Sequence, residues 1–241
     1  MKLDKLIQGA GKLGIKFNGK QLKQFQTYYE ELIEWNKKFN LTSITDYQEV
    51  QVKHFLDSLS VTSALTKEEL ENSNFNIVDI GTGAGFPGVP LKILLREARL
   101  VLIESVGKKT TFLRQIMAKL GLDNVEVIQG RAEEIAHSPL YREQFALAVS
   151  RAVALLPVLL ELALPFCRID GKFVAQKKGE IGAETNRADK ATLTLGGKLG
   201  EVKRVELEEF GDERYLIIFD KISPTPEKYP RRPGLARRRP I

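Results

Sequence analysis

Residues 76–88 read Asn76-Ile77-Val78-Asp79-Ile80-Gly81-Thr82-Gly83-Ala84-Gly85-Phe86-Pro87-Gly88, and how this stretch is understood decides the fold. A short apolar run at 77–80 gives way to three alternate glycines, and Pro87 then opens a helical pattern. Proline suits a first helical turn because its φ is preset and its missing N–H would have found no partner there. Glycines at 81, 83 and 85 let the backbone turn sharply and approach a ligand without a Cβ in the way. The unit is therefore strand, tight loop, helix.

Outward from it the same texture repeats. Short apolar runs at 77–80, 100–104, 125–129, 145–150 and 172–176 alternate with helix candidates at 87–97, 108–120, 132–136, 155–167 and 180–194. That alternation predicts a Rossmann-like α/β fold, a mostly parallel sheet covered on both faces. Two last runs, 200–208 and 215–222, flank Phe210-Gly211-Asp212-Glu213 and predict an antiparallel terminal hairpin, for seven strands in all. Upstream, Leu22, Phe25, Tyr29, Leu32 and Phe39 fall at helical spacing, widened by Tyr28, Ile33 and Trp35. Val50, Phe55, Leu59 and Val61 do the same within 46–65. The chain is thus expected to comprise a helical extension (1–66), an α/β core (67–222) and a basic tail (223–241).

Two ligand classes compete for the loop. Gly83 to Gly88 satisfies G-x-G-x-x-G, and Glu104 ends the second strand where a ribose-binding acid belongs, as in a nicotinamide-dependent oxidoreductase. Asp79, two residues before Gly81, instead completes D-x-G-x-G-x-G, which resembles motif I of S-adenosylmethionine-dependent methyltransferases. A dinucleotide loop must offer N–H groups to a pyrophosphate, whereas adenosylmethionine carries no phosphate and two positive groups, which an adjacent acid suits. Glu104 would accept from both ribose hydroxyls. The backbone N–H groups of Ala132 and Glu133, after the third strand, would meet the adenine edge.

The methyl acceptor is narrowed by what is missing. After the fourth strand the chain reads Ser150-Arg151-Ala152-Val153, with no D/N-P-P-Y/F motif for an exocyclic amine. Cytosine C5 chemistry needs a cysteine nucleophile, and the one cysteine, Cys167, lies in an apolar pattern that reads as core. Guanine N7 has its own lone pair and needs neither device. Arg151 would bind the cofactor carboxylate or the guanine acceptors O6 and N7, and Lys177-Lys178 would hold O6 or phosphates. No general base is assigned. His54 and Asp57 could face the pocket from the extension, but a satisfied structural histidine reads equally well. Asn40-Leu41-Thr42 has the look of a helix end followed by a new cap.

The chain has 241 residues, 43% hydrophobic and 28% charged, values that exclude disordered, collagen-like and disulfide-scaffold classes. One cysteine and two histidines leave no ligand set for a metal. The start shows no signal-type apolar segment, and the longest apolar run, 152–160, is far short of the ~18 residues a span requires, so a cytoplasmic protein without membrane contact, favoured as a monomer, is expected. The net charge of +6 is concentrated at the C-terminus, where Arg231, Arg232, Arg237, Arg238 and Arg239 face no acidic residue after Tyr229. A near-neutral body with an arginine tail fits a polyanion partner or a solubilising disordered end.

Seven segments carry a more specific resemblance: Trp35 to Thr42, His54 to Leu59, Asp79 to Gly88, Gly130 to Glu133, Ser150 to Ala152, Lys177 to Gly179 and Tyr229 to Gly234. Together they resemble the bacterial small-subunit rRNA guanine-N7 methyltransferases of the RsmG/GidB family. The resemblance implies S-adenosyl-L-methionine as donor, 16S rRNA or a small ribosomal subunit precursor as partner, and N7 of the guanine at position 527 as acceptor. It also implies cofactor contacts at Gly81, Phe86, Ala132, Glu133 and Arg151, and a substrate surface around Lys177 and the arginine tail. Residues 136–142 read as a loop insertion. An RNA-binding assembly factor with a vestigial cofactor site is the alternative from another class.

Overall fold

The structure is a computed structural model that describes residues 2–151 and 154–241. Ala152 and Val153, at the end of the fourth-strand motif, lie outside the described residues. The strands are β1 (Asn76–Ile80), β2 (Arg99–Glu104), β3 (Val125–Gln129), β4 (Phe145–Arg151), β5 (Cys167–Lys178), β6 (Gly197–Arg204) and β7 (Arg214–Lys221). They form one sheet in the order β3-β2-β1-β4-β5-β7-β6. β1 to β5 pair in parallel, and β7 inserts antiparallel between β5 and β6. The terminal hairpin is present, with β6 starting and ending earlier than the apolar run suggested.

Twelve α-helical segments lie among the described residues: α1 (Asp4–Lys12), α2 (Gly19–Phe39), α3 (Tyr47–Val50), α4 (Asp57–Leu59), α5 (Lys67–Glu71), α6 (Gly88–Leu94), α7 (Gly107–Leu120), α8 (Ala132–Ile135), α9 (Leu156–Ala163), α10 (Gly182–Asn186), α11 (Asp189–Thr194) and α12 (Leu235–Arg238). None is long and apolar enough to cross a membrane. Successive side chains of a strand point to opposite faces, and both faces are buried here. Ile77, Leu100, Leu102, Leu147 and Val149 join a core with Phe25, Tyr28, Phe55 and Phe112. Val78, Val101, Ile103 and Ala148 join a second core with Leu159, Phe166, Tyr229 and Ala236. The helical extension therefore packs on one face of the sheet and the C-terminal tail on the other.

Three expected elements differ. The helix expected over 155–167 stops at Ala163, followed by a short 3-10 turn, because Pro165 cannot continue it; Cys167 opens β5 instead. The helix expected over 180–194 is split into α10 and α11, where Thr185 and Asn186, weak helix formers, end the first piece. The run 46–65 is compound, with α3, a π-helical stretch Gln51–Leu56, α4 and a 3-10 stretch Ser60–Ala64 in succession. The polar stretch after Leu65 holds α5, opened by a Thr66–Glu69 capping box.

Because strand order reverses about β1, its carboxyl end faces a crevice, the usual ligand position in an open α/β sheet. Gly81, Glu104, Gly130, Arg151 and Lys177 all lie at or just beyond the carboxyl ends of β1 to β5.

Candidate functional site

The glycine loop is held from behind. Gly81, Gly83 and Gly85 have φ of 69°, 63° and 103°. A Cβ on Gly85 would lie 2.5 Å from Tyr28 Oη and 2.6 Å from Val89 Cγ2, whereas one on Gly83 would meet nothing within 4 Å. Gly85 is thus a packing position and Gly83 an open one, facing the cleft. Tyr28, from the extension, donates to Ala84 O (2.6 Å) and stacks on Phe86 at 5.3 Å. Pro87 is the N-cap of α6, one residue outside the helix.

Asp79 is fully buried, and its Oδ2 accepts from Thr82 Oγ1 (2.6 Å) and Gly88 N–H (2.7 Å). The carboxyl is directed at the loop's own groups and stands outside the cleft wall. Burial pushes it up to about 7, against the two hydrogen bonds and the Arg151 charge. The acid in the wall of the cleft is Glu104, at 6% exposure. Its Oε2 accepts from Gly83 N–H (3.0 Å) and its Oε1 from Val106 N–H (2.9 Å), so the carboxylate is oriented by the loop that it faces.

This cleft, ≈ 390 Å³, is bounded by Thr42, His54, Gly81, Gly83, Phe86, Glu104 and Arg151. A smaller space of ≈ 80 Å³ adjoins it, with Gly81 and Ser105 shared and Gly130, Ala132 and Glu133 in its far wall. Ala132 and Glu133 begin α8, so their N–H groups have no acceptor within the helix. The Glu133 carboxylate is opposed by burial, but Gly234 N–H (3.0 Å), its own backbone N–H and Arg131 (3.1 Å) hold it below the usual carboxylate range.

Arg151 joins the sheet to the extension. Its Nη1 donates to Lys53 O (3.0 Å) and Asp57 Oδ2 (2.9 Å), its Nη2 lies 3.0 Å from His54 Nδ1, and its guanidinium sits 4.9 Å from the Phe86 ring centre. His54 stacks on Phe86 at 4.3 Å. Burial, then the Arg151 charge, lowers His54 to about 3. The ring is therefore neutral near pH 7, with Nδ1 accepting from Arg151 and Nε2–H donating to Thr42 Oγ1 (2.8 Å). The wide π turn over Gln51–Leu56 brings the Lys53 carbonyl, His54 and Asp57 around one guanidinium. Thr42, which reads as part of a cap, is instead a partner of this ring, while Asn40 ends α2 in a left-handed conformation.

His54 and Arg151 also border a second, open cavity of ≈ 610 Å³, whose walls include Gln176, Lys177, Lys178, Glu184, Asp212 and Arg214. Lys177 Nζ is tied to Ala154 O and Glu184 Oε1, both at 2.6 Å, while Lys178 is exposed. Arg214 Nε lies 3.0 Å from Asp212 Oδ1 and 3.8 Å from Asp57 Oδ1. Gln176 donates to Asp57 O (2.5 Å), and its buried Oε1 has no partner. Gln176, Glu184, Asp212 and Arg214 escape sequence reading because nothing local marks them, whereas Asp57, expected with His54 to face the pocket, is the carboxylate that Arg151 takes. Cys167 is buried, and burial pushes its thiol up to about 12, so it is no nucleophile.

The arginine tail divides. Arg231 is a structural bracket: its Nε and Nη2 bond Glu161 (2.8 and 2.6 Å), a fully buried carboxylate that also accepts Arg231 N–H (2.8 Å). Arg231 thus leaves the set expected to face RNA, because a buried acid without this partner would be costly. Arg232, Arg237, Arg238 and Arg239 are exposed. The 136–142 loop is the tail's dock: His137 Nε2 lies 2.8 Å from Pro230 O, and Arg142 donates to Tyr229 O (2.9 Å) and Thr225 O (2.7 Å).

Residues 21–214 match the family described as GidB, rRNA small subunit methyltransferase G. A ribosomal RNA small subunit methyltransferase G from Dehalococcoides mccartyi is 47% identical over 239 residues, 99% of this chain and 100% of that protein. One of the same name from Pelotomaculum thermopropionicum is 46% identical, covering 97% of this chain and 96% of the relative. Among solved structures, a SAM dependent methyltransferase from Aquifex aeolicus aligns with TM-score 0.53 at 18% identity over 73% of this chain and 94% of that one. M. jannaschii TYW2 in complex with AdoMet aligns with TM-score 0.52 at 16% identity over 69% of this chain and 77% of that one. At such identities the likeness concerns the fold.

Proposed function

Given that the chain belongs to the rRNA small subunit methyltransferase G (GidB) family, we propose that it transfers a methyl group from S-adenosyl-L-methionine to N7 of a guanine in 16S small-subunit rRNA. The observation that carries the reading is the junction of two cavities at His54 and Arg151: a glycine-walled cleft on one side and an open, charged cavity on the other.

The residues fit the cofactor. Gly83 leaves open space where a side chain would intrude, Glu104 is pre-oriented for ribose hydroxyls, and the N–H groups of Ala132 and Glu133, at the start of α8, have no backbone acceptor within the helix. Bound adenosylmethionine supplies a methyl on a sulfonium. The guanine N7 lone pair would accept that methyl directly, with the C–S bonding pair left on sulfur and the positive charge on the purine. No proton leaves the acceptor atom, so no general base is needed, in keeping with a neutral His54 lowered to about 3 and bonded at both nitrogens. Catalysis then rests on alignment and on fixed charges. Arg151 and Phe86 form the partition across which the base meets the methyl. Lys177, steadied by Glu184, would donate to O6, and Lys178 with Arg232, Arg238 and Arg239 would meet phosphates in the cytoplasmic substrate, 16S rRNA or a small-subunit precursor.

In this reading 1–66 is a helical extension that braces the loop, 67–222 the catalytic core and 223–241 the tail. The test is incubation of the purified chain with labelled adenosylmethionine and 16S rRNA or small subunits lacking the modification, followed by nucleoside mass spectrometry. The expected product is 7-methylguanosine at one position. Binding of RNA without methyl transfer would instead support an assembly factor with a vestigial site, and tight NADH binding without adenosylmethionine binding would support an oxidoreductase.

A further inference from the structure

The tail reaches the cofactor cleft as well as the outer surface. Arg237 borders both the ≈ 390 Å³ cleft holding Gly83 and Glu104 and the ≈ 80 Å³ space holding Ala132 and Glu133. It therefore stands where the two meet. Resting on the adenosylmethionine reading above, we infer that Arg237 is a cofactor-binding residue and that the C-terminal segment forms one wall of the cofactor site.

Two further observations carry the assignment. A nucleoside with its ribose at Glu104 and its base at Ala132 and Glu133 must cross the boundary at which Arg237 stands. A guanidinium suits that place, because it is planar, weakly hydrated and able to lie against a heteroaromatic face. The position is also built. On its N-terminal side, Gly234 N–H is bonded to Glu133 Oε1 (3.0 Å), and Arg231 is clamped to the buried Glu161. On its C-terminal side, Arg239 O accepts from Arg231 Nη2 (2.8 Å), and Ala236 between them is 1% exposed. A loose arm reaching for phosphate would need none of these ties. Glu133 has two jobs in consequence: its main chain faces the base and its carboxylate holds the segment that carries Arg237. Cofactor binding and tail docking are coupled through that one residue.

The experiment uses the full chain and S-adenosylhomocysteine as probe, with calorimetry and limited trypsin digestion. Arg237→Ala should raise the Kd by about tenfold, the scale of one desolvated cation–π interaction, with a cooperative fold retained in thermal melting. Arg237→Lys, which keeps the charge and loses the plane, should restore only part of the affinity. Arg238→Ala should leave the Kd within about twofold, a shift too small for removal of a group that touches the probe. Saturating probe should slow tryptic cleavage in the tail of the unmutated chain. An Arg237→Ala Kd equal to that of the unmutated chain overturns the assignment, whatever the protease does, and returns Arg237 to the RNA-facing set. Absence of probe binding by the unmutated chain is a different failure, because it removes the adenosylmethionine reading and this inference with it.

Discussion

The two faces of the sheet brace the same crevice by different physics. On the extension face, beside the Arg151–Asp57 ion pair, Tyr28, His54, Phe55 and Phe86 form a run of ring contacts behind the glycine loop. On the tail face, Tyr229 and Ala236 join the second core, and directed polar ties are added to them: Arg231 to Glu161, Gly234 N–H to the Glu133 carboxylate, Arg142 to the Tyr229 and Thr225 carbonyls. Stacked and buried rings gain most from loss of water and are little affected by salt. Hydrogen-bonded charges give direction, and where they reach the surface they weaken in salt. The difference teaches that the loop is fixed as part of a core, while the tail is attached as a docked segment.

The comparison is broken most severely at Gly85. Valine there meets Tyr28 Oη and Val89 at a φ of 103°, so strain and overpacking together should cost about 4 kcal/mol. A loss of fold and of adenosylmethionine binding, seen by thermal melting and calorimetry, is expected, and a stable variant would show that the loop is not core-like. Next is Arg231→Ala, which strands the fully buried Glu161 carboxylate and should cost about 3 kcal/mol. Its signature is local: the tail should become open to protease while the body melts as a unit. Third is Tyr28→Phe, which leaves the Ala84 carbonyl without its donor at about 1.5 kcal/mol, and which should weaken adenosylmethionine binding without exposing the tail.

A pH series sharpens the extension side. His54 is lowered from 6.5 to about 3 in the fold, so the unfolded chain binds the proton more tightly between those values, and the ring's contribution to stability falls as pH drops through that window. Asp79, raised from 3.8 to about 7, has the opposite sign: stability falls as pH rises from 3.8 to about 7. The stability gap between the unmutated chain and His54→Gln should therefore narrow on acidification, whereas that for Asp79→Asn should shift in the unmutated chain's favour. A gap independent of pH in either series would show that the group's surroundings are not as described. The smallest effect is expected on the outer tail. Substituting Arg232, Arg238 and Arg239 with alanine should flatten the log–log salt dependence of rRNA binding by roughly 0.7 to 0.9 for each phosphate no longer neutralised, with folding unchanged.

Much of this was legible in the chain because periodicity reports burial. The five βα repeats, the hairpin, Glu104 at the end of β2 and Arg151 at the end of β4 follow from apolar runs and the positions just past them. The roles of Asp79 and Arg231 were not legible, because spacing fixes where a residue stands along the chain and says nothing of which way its charge turns. Asp79 bonds the loop from behind, and Arg231 answers an acid seventy positions away. The π turn was hidden for a related reason: one extra residue in a turn leaves an apolar pattern nearly intact while rotating His54 and Asp57 toward Arg151.

Residues 136–142 and the tail are locked together through their contacts. Arg142 spends its guanidinium on carbonyls of Ala136, Thr225 and Tyr229, and His137 lies against the carbonyl of Pro230. Without the tail that guanidinium would lose its acceptors at Thr225 and Tyr229, and without the loop those carbonyls would lose their donor. Loop and tail thus act as the two halves of one clasp, each holding the other's hydrogen-bonding groups.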